Sequence, residues 1–132
     1  MSNFLVDTSV CVAHIRGDKT AFQFLKQFSP SISAVTHAEL LQGCRNKRDI
    51  LAVKATLKDL HQFLFTEVIT NQALGLFEKY RISHGIQFFD TLIAATAVEY
   101  KLTLITHNVK HFSFIPNLSV VPWGEIMEKV SG

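Results

Sequence analysis

The sequence predicts an α/β fold in which a central, mostly parallel sheet lies between two layers of helices, a three-layer α/β/α sandwich. Short apolar runs alternate with longer helical segments, which is typical of parallel strands joined by crossover helices. No repeat, linker or low-complexity tract interrupts this alternation. The 132 residues and their apolar fraction of 48% suit a single domain over residues 1–132.

The first part of the chain predicts one strand and two helices. Residues 4–6 are apolar and partly β-branched or aromatic, as in a buried strand. A helix is predicted over residues 8–14, with Gly17 as its stop signal. A second helix over residues 20–28 ends before Pro30, because the residue that precedes a proline avoids the helical region.

The middle of the chain predicts two strands that enclose two helices. The strands are residues 32–35 and 65–68, which are short and contain β-branched or aromatic side chains. The helices are residues 36–44 and residues 49–63. This order continues the strand–helix alternation of a parallel sheet.

The last part predicts two helices followed by two strands. A helix over residues 71–83 is broken at Gly85. Residues 89–100 form a helix that is apolar on nearly every side, so we expect it to be buried. The strands are residues 102–105 and 118–121, and a short tail helix follows.

Composition argues against several classes of protein. The net charge is only +2, and the basic cluster at residues 45–48 suits a solvated loop better than a grip on nucleic acid. No run reaches the ~18–20 apolar residues of a membrane span, and residues 1–4 lack the basic start of a secretory signal. Gly-rich phosphate loops are absent from the sequence. With Cys11 and Cys44 interpreted as buried thiols, we expect a cytoplasmic protein without a membrane partner.

Three carboxylates, Asp7, Glu39 and Asp90, occupy comparable places in the predicted fold. Asp7 follows the first strand, Glu39 comes just after the second, and Asp90 opens the buried helix. Because such junctions gather at the carboxyl edge of a parallel sheet, we expect the three side chains to meet in one crevice. Acids this close repel one another unless a divalent cation lies among them. A carboxylate set without cysteine favours Mg²⁺ or Mn²⁺ over zinc.

Each acid also has a purely structural interpretation. Asp7 could be the N-cap of the helix over residues 8–14, Thr36 and Glu39 match the capping-box pattern, and Asp90 lies at the positive end of a helix dipole. Two observations favour the metal site. The hydroxyl residues that follow Asp7 could cap that helix and free its carboxylate, and Asp90 has apolar neighbours among which an ionised acid needs compensation.

Four segments resemble the motifs of the PIN-domain family, in the same order and at the usual spacing. They are FLVDTSV at residues 4–10, SAVTHAELLQG at 33–43, DTLIAATA at 90–97 and LITHNVKHF at 104–112. The resemblance covers the whole chain. Within that family, the length and the motifs are similar to those of the VapC-type toxins of type II toxin–antitoxin systems.

The resemblance implies a PIN-like fold in a cytoplasmic protein. It implies an endoribonuclease that depends on Mg²⁺ or Mn²⁺ and acts as the toxin of a toxin–antitoxin pair. Asp7, Glu39 and Asp90 match the family's catalytic acids and are the expected metal ligands, Asp7 and Asp90 most directly. The implied partners are an RNA substrate, a cognate antitoxin protein and a second copy of the chain in a homodimer.

The resemblance also implies supporting residues, and it contains one departure. Thr8, Ser9 and Thr106 match positions that usually support the site through hydroxyl groups. In the fourth motif many relatives have a fourth acid, whereas this chain has Asn108 and His111. The loss of one negative charge could weaken a second metal site. Asn108 could still ligate through its carbonyl oxygen, or it could serve only in a turn.

The expected reaction is attack on an RNA phosphodiester by water that a divalent ion activates, which needs no nucleophilic side chain. Two alternatives remain open. One is a PIN-like binding module of weakened activity that acts through its partner. The other is a metal-dependent DNA nuclease or phosphatase on a similar fold.

Overall fold

The computed structural model describes the backbone of residues 2–131 and the side chains of residues 2–128. Strands and helices alternate through that range, with one short 3₁₀ helix near the end. In chain order the elements are β1 (Phe4–Val6), α1 (Thr8–Ile15), α2 (Lys19–Phe28), β2 (Ile32–Ser33), α3 (Ala34–Gln42), α4 (Lys47–Leu57), β3 (Gln62–Phe63), α5 (Glu67–His84), α6 (Phe88–Glu99), β4 (Thr103–Thr106), the 3₁₀ helix (Val109–His111), β5 (Ser119–Pro122) and α7 (Trp123–Ser131).

The strands pair in parallel throughout the described chain. β1, β4 and β5 form one sheet in that order, and β2 pairs with β3. The two sheets meet between Leu5 and Ser31. There Val6 N–H donates to Ser31 O at 3.0 Å, and Ser31 N–H donates to Phe4 O at 2.9 Å. The strands therefore share a direction and end along a common carboxyl edge.

Successive side chains of each strand point to opposite faces of the sheet, and this divides the core in two. Leu5 and Leu104 pack with α5 and α6 on one face. Val6 and Ile105 pack with α1, α2 and α7 on the other, where the Trp123 ring lies 5.3 Å from that of Phe24. Helices thus cover both faces of a parallel sheet, and the predicted three-layer α/β/α sandwich is confirmed.

The helix predicted to be buried is α6, and it lies within one residue of the predicted bounds. Every residue from 91 to 97 is buried. Ala94, Ala95 and Ala97 are at most 1% exposed, and their small side chains allow the helix to lie close against the sheet.

Helix caps explain why two predicted boundaries are wrong. Ser33 Oγ accepts a hydrogen bond from Val35 N–H at 3.1 Å, so α3 begins at Ala34 and the strand predicted over residues 32–35 contains only Ile32–Ser33. Thr66 caps α5 in the same way, through Ile69 N–H at 3.1 Å. The segment predicted as a strand over residues 65–68 is therefore a loop and the first turn of α5.

The helix predicted over residues 49–63 is also shorter than expected. α4 ends at Leu57, and the chain then turns so that Gln62–Phe63 can pair with β2. Ile32 N–H donates to His61 O at 2.9 Å beside this pairing. Inter-strand bonds thus replace the helix that the local sequence favours.

None of the helices described in residues 2–131 combines the length and the apolar character that crossing a membrane requires.

Candidate active site

The three predicted acids lie on elements that meet at the carboxyl edge of the sheet. Asp7 directly follows β1, Glu39 is the sixth residue of α3, and Asp90 is the third residue of α6. Burial raises the pKa of Asp90, and the negative charges of Glu39 and Asp7 raise it further. The structure therefore places Asp90 close enough to the other two carboxylates for their charges to affect it.

Asp7 is buried, with 7% of its surface exposed, and both carboxylate oxygens are hydrogen-bonded. Oδ1 accepts from Ser9 N–H at 3.0 Å and from the Ser9 hydroxyl, and Oδ2 accepts from the Thr106 hydroxyl. Asp7 is thus the N-cap of α1. The expectation that Thr8 and Ser9 cap this helix in its place is wrong, because the Ser9 hydroxyl donates to Asp7 instead.

Glu39 is fixed by a residue of another helix. The Thr8 hydroxyl of α1 donates to Glu39 Oε1 at 2.5 Å and lies 3.3 Å from Thr36 Oγ1. The capping-box interpretation of Thr36 and Glu39 is wrong, because Ser33 is the N-cap of α3. Glu39 then lies more than one turn inside the helix, so its carboxylate is available to the site.

Asp90 is half-buried, and its surroundings hold its pKa above the usual value. Burial has the largest effect, and the charges of Glu39 and Asp7 act in the same direction. The imidazole of His111 and a hydrogen bond from the Gln87 backbone act in the opposite direction. Within the described residues no lysine or arginine forms an ion pair with these acids.

Thr106 and Asn108 support the site from the end of β4. The Thr106 hydroxyl donates to Asp7 Oδ2 and accepts from Asn108 N–H at 3.0 Å. The side chains of Asn108 and His111 are both exposed, and His111 acts to lower the pKa of Asp90. The structure therefore places the backbone N–H of Asn108, rather than its side-chain amide, in the hydrogen-bond network around Asp7.

The sequence did not predict a hydrogen bond between His107 and Ser9. The single hydroxyl hydrogen of Ser9 goes to Asp7, so Ser9 Oγ accepts from His107 Nδ1–H at 2.8 Å. The His107 ring also lies 6.0 Å from that of Trp123. Ser9 and His107 meet only because β1 pairs with β4, and no sequence spacing indicates this contact.

Carboxylate oxygens are the ligands that a hard divalent ion prefers, although the three acids are not yet gathered around a single point. No three His, Cys, Asp or Glu side chains among the described residues are grouped so that they could hold a metal ion. The oxygens of Asp7 and Glu39 are directed instead at neighbouring hydroxyl groups. Three carboxylates nevertheless form the donor set that Mg²⁺ and Mn²⁺ prefer.

The nearby cysteine does not alter this donor set. Burial and the charge of Asp7 raise the pKa of Cys11 to about 12, so the thiol is protonated and is a poor metal ligand. Cys44, which the sequence suggested was buried, is half-exposed, and its thiol lies 3.4 Å from Leu40 O.

Two cavities open on either side of Glu39. A cavity of about 290 Å³ lies among α3, the first turns of α5 and α6 and the loop at Phe65. A second, of about 320 Å³, lies between α1, α3 and α4, with Arg16 and Arg45 among its lining residues. Both cavities lie along the helix that contains Glu39, and the first is also lined by the two phenylalanines directly before Asp90.

Comparisons with known proteins agree with this fold. The profile of the PIN domain matches residues 4–115. Ribonuclease VapC19 of Mycobacterium tuberculosis is 36% identical over 120 residues, which covers 86% of this chain and 95% of VapC19. Ribonuclease VapC10 of the same organism is 38% identical over 121 residues, which covers 86% of this chain and 89% of VapC10. A crystal structure of VapBC2 from Rickettsia felis bound to a promoter DNA fragment matches with a TM-score of 0.78 and 25% identity, covering 91% of this chain and 98% of that one.

Proposed function

The chain belongs to the PIN-domain family, and from that premise we propose that it is a divalent-metal-dependent endoribonuclease, the toxin of a type II toxin–antitoxin pair. The observation that carries the proposal is that Asp7, Glu39 and Asp90 lie on elements that meet at one edge of the sheet, where burial and the charges of the other two acids raise the pKa of Asp90. Relatives that span most of this chain are named ribonucleases, which supports RNA as the substrate.

Asp7, Glu39 and Asp90 would hold Mg²⁺ or Mn²⁺. A bound divalent ion supplies charge stabilisation at a phosphodiester and a lower pKa for attacking water. Burial and the charges of Glu39 and Asp7 raise the pKa of Asp90, and a bound cation would neutralise those charges. Hydrolysis of this kind requires no nucleophilic side chain, and we assign none.

The remaining residues position the acids. Ser9 and Thr106 donate to the two oxygens of Asp7, which fixes the plane of that carboxylate. Thr8 holds Glu39 and so links α1 to α3 at the site. His111, in the motif where many relatives have a fourth acid, acts to lower the pKa of Asp90. Hydroxyl groups in these places orient metal ligands, as outer-shell partners do in other metal sites.

The proposal extends to the proteins that such an enzyme needs. The Rickettsia felis relative was crystallised as a VapBC complex, and another structural match is a toxin–antitoxin complex from Klebsiella pneumoniae. We propose that this chain pairs with a cognate antitoxin in the cytoplasm and forms a homodimer, with residues 1–132 acting as one domain. Size-exclusion chromatography that shows only monomer across micromolar concentrations would contradict the dimer.

A cleavage assay tests the enzymatic proposal. Purified protein with Mg²⁺ or Mn²⁺ should cut single-stranded RNA internally, and chelation of the ion should stop the reaction. Asp90→Asn should abolish cleavage, whereas Asp59→Asn, which changes an exposed acid beside a different cavity, should leave it intact. Equal activity of Asp90→Asn and the unmodified protein would remove the proposed site. Preferential cleavage of DNA or of a phosphomonoester would show that RNA is not the preferred substrate.

A further inference from the structure

We propose that the cavity of about 290 Å³ beside Glu39 receives one unpaired base of the RNA substrate, next to the phosphate that is cut, and that Phe65 and Phe89 stack on this base. The inference rests on the proposed function, because that function places an RNA strand over the acids. It adds a specificity subsite and names the residues that form it.

The cavity adjoins the candidate active site at Glu39, which is one of its lining residues. Val35, Ala38, Glu39 and Gln42 line it from α3, and their spacing of i, i+3, i+4 and i+7 puts them on one face of that helix. Phe89 lines it from α6 and immediately precedes Asp90. A strand whose phosphate lies at the acids therefore carries its neighbouring base to the mouth of this cavity.

The walls of the cavity present aromatic rings over an apolar floor. Val35 and Leu92 are 1% and 5% exposed and form the floor, whereas Phe65 and Phe89 remain 50% and 53% exposed. Packing in the core does not explain why these two phenylalanines lie beside an acidic centre, because half of each side chain is exposed. Aromatic side chains of this kind are the usual platform for unstacked bases in single-stranded RNA.

Gln42 and Thr70 are also among the lining residues, but the surface of the cavity is almost entirely apolar. Stacking and apolar contact, rather than hydrogen bonds to the edge of the base, therefore hold the base in this cavity.

The apolar, aromatic lining of the cavity suits a base rather than the phosphate backbone. Phenylalanine rings give a base a surface on which to stack, and they give a charged phosphate no partner. A paired base cannot enter such a cavity, so the substrate at this point is single-stranded.

Steady-state kinetics on a single-stranded RNA oligonucleotide of mixed sequence, with Mn²⁺, test the inference once its cleavage position has been mapped. Phe89→Ala and Phe65→Ala should each raise KM by about 5- to 150-fold, the range for loss of one stacked base, and should change kcat less. Phe89→Trp should keep the low KM. Phe89→Leu, which retains apolar bulk without a ring, should raise KM as alanine does.

Two controls isolate the stacking contact. Phe22→Ala removes a similarly exposed phenylalanine, 48% exposed, that lines a different cavity, and it should leave KM unchanged. An oligonucleotide made abasic at the nucleotide beside the cut should raise the KM of the unmodified protein. Combining it with Phe89→Ala should add nothing further, because both changes remove the same contact.

The outcomes separate this inference from the function on which it rests. If RNA is cut but Phe89→Leu and Phe89→Ala have the KM of the unmodified protein, the base subsite is overturned and the ribonuclease stands. If these variants leave KM unchanged and instead dissociate a dimer, the cavity belongs to an interface between copies and the inference is overturned. Failure of the unmodified protein to cut RNA overturns both.

Discussion

Asp7 acts both as a helix cap and as a candidate metal ligand, two roles that the sequence alone presents as alternatives. A carboxylate has about four lone-pair sites. The backbone N–H of Ser9 and the hydroxyls of Ser9 and Thr106 occupy three of them. The cap therefore leaves one direction for an ion, and the hydrogen bonds that cap α1 also orient the ligand.

Thr106→Val tests this orientation at the scale of one hydroxyl group. The change keeps the shape of the side chain but removes the donor to Asp7 and the acceptor for Asn108 N–H. We expect the free energy of unfolding to fall by about 1–3 kcal/mol and RNA cleavage to fall by about 10- to 100-fold. Denaturant unfolding and initial cleavage rates measure the two effects.

Thr103→Val is the matched control on the same strand. Its hydroxyl lies 3.3 Å from Ser119 Oγ, away from the acids. We expect a change in stability within about 0.5 kcal/mol and normal cleavage. Equal losses of activity in both variants would mean that the Thr106 hydroxyl has no particular role in positioning Asp7.

Asp90→Asn should stabilise the ion-free protein while it removes activity. The folded-state pKa of Asp90 is raised, so the folded protein binds this proton more tightly than the unfolded chain does. Stability therefore falls as pH rises from the unfolded pKa, about 3.9, through the folded value, and the deficit persists at neutral pH. Asparagine carries no charge and avoids this deficit.

Thermal unfolding in a chelator measures the effect of Asp90→Asn. At pH 7 we expect the variant's Tm to be higher by roughly 2–3 °C, a modest gain because the half-buried carboxyl is partly screened by water. The difference should narrow as pH is lowered toward 4. A variant less stable than the unmodified protein at pH 7 would indicate that the charge on Asp90 stabilises the fold instead.

At the scale of one element, α3 shows how a cap changes the interpretation of a functional residue. Because Ser33 caps the helix, Glu39 has no capping role to lose. Glu39→Gln keeps an acceptor for the Thr8 hydroxyl and removes only the charge. We expect unfolding free energy to stay within about 0.5 kcal/mol and cleavage to fall by at least about 10- to 100-fold. A large loss of stability with normal cleavage would restore the capping interpretation.

Two glycines, one inside α5 and one directly after it, test why that helix ends where it does. Gly85 follows the helix at φ 67°, a left-handed conformation that other residues adopt at a cost. Gly75 lies inside the helix, and a Cβ added at either position meets no atom within 4 Å. We expect Gly85→Ala to destabilise by about 1–2 kcal/mol and Gly75→Ala to stabilise by about 0.5–1 kcal/mol. Similar effects in both variants, measured by denaturant unfolding, would contradict this account.

The elements differ in how far their sequence predicts them. α6 is predicted to within one residue because a long, wholly apolar helix gives a strong local signal. β2 and β3 have two residues each, which is too few to show any periodicity. The helices that follow them, α3 and α5, begin where Ser33 and Thr66 cap them. Local pattern therefore fails where a side-chain cap or a strand partner decides the boundary.

At the scale of the whole molecule, parallel topology is what allowed the placement of the three acids at one edge of the sheet to be predicted. Residues that follow different strands meet at one edge whatever their separation in sequence. The contacts around the acids were harder to predict from the sequence, because Ser9 and His107 are 98 residues apart and meet only through strand pairing. The cavity at Phe65 and Phe89 likewise depends on the packing of α3 against α6, which no single segment encodes.

The central claim is that folding gathers Asp7, Glu39 and Asp90 into a site for a divalent ion. Calorimetric titration of the ion-free protein with Mn²⁺ tests it most directly, with Asp7→Asn and Asp90→Asn beside the exposed-acid control Asp59→Asn. We expect the unmodified protein and the control to bind alike, and each site variant to bind at least about 10-fold more weakly. Absence of binding to the unmodified protein, or equal binding by all four proteins, would contradict the claim.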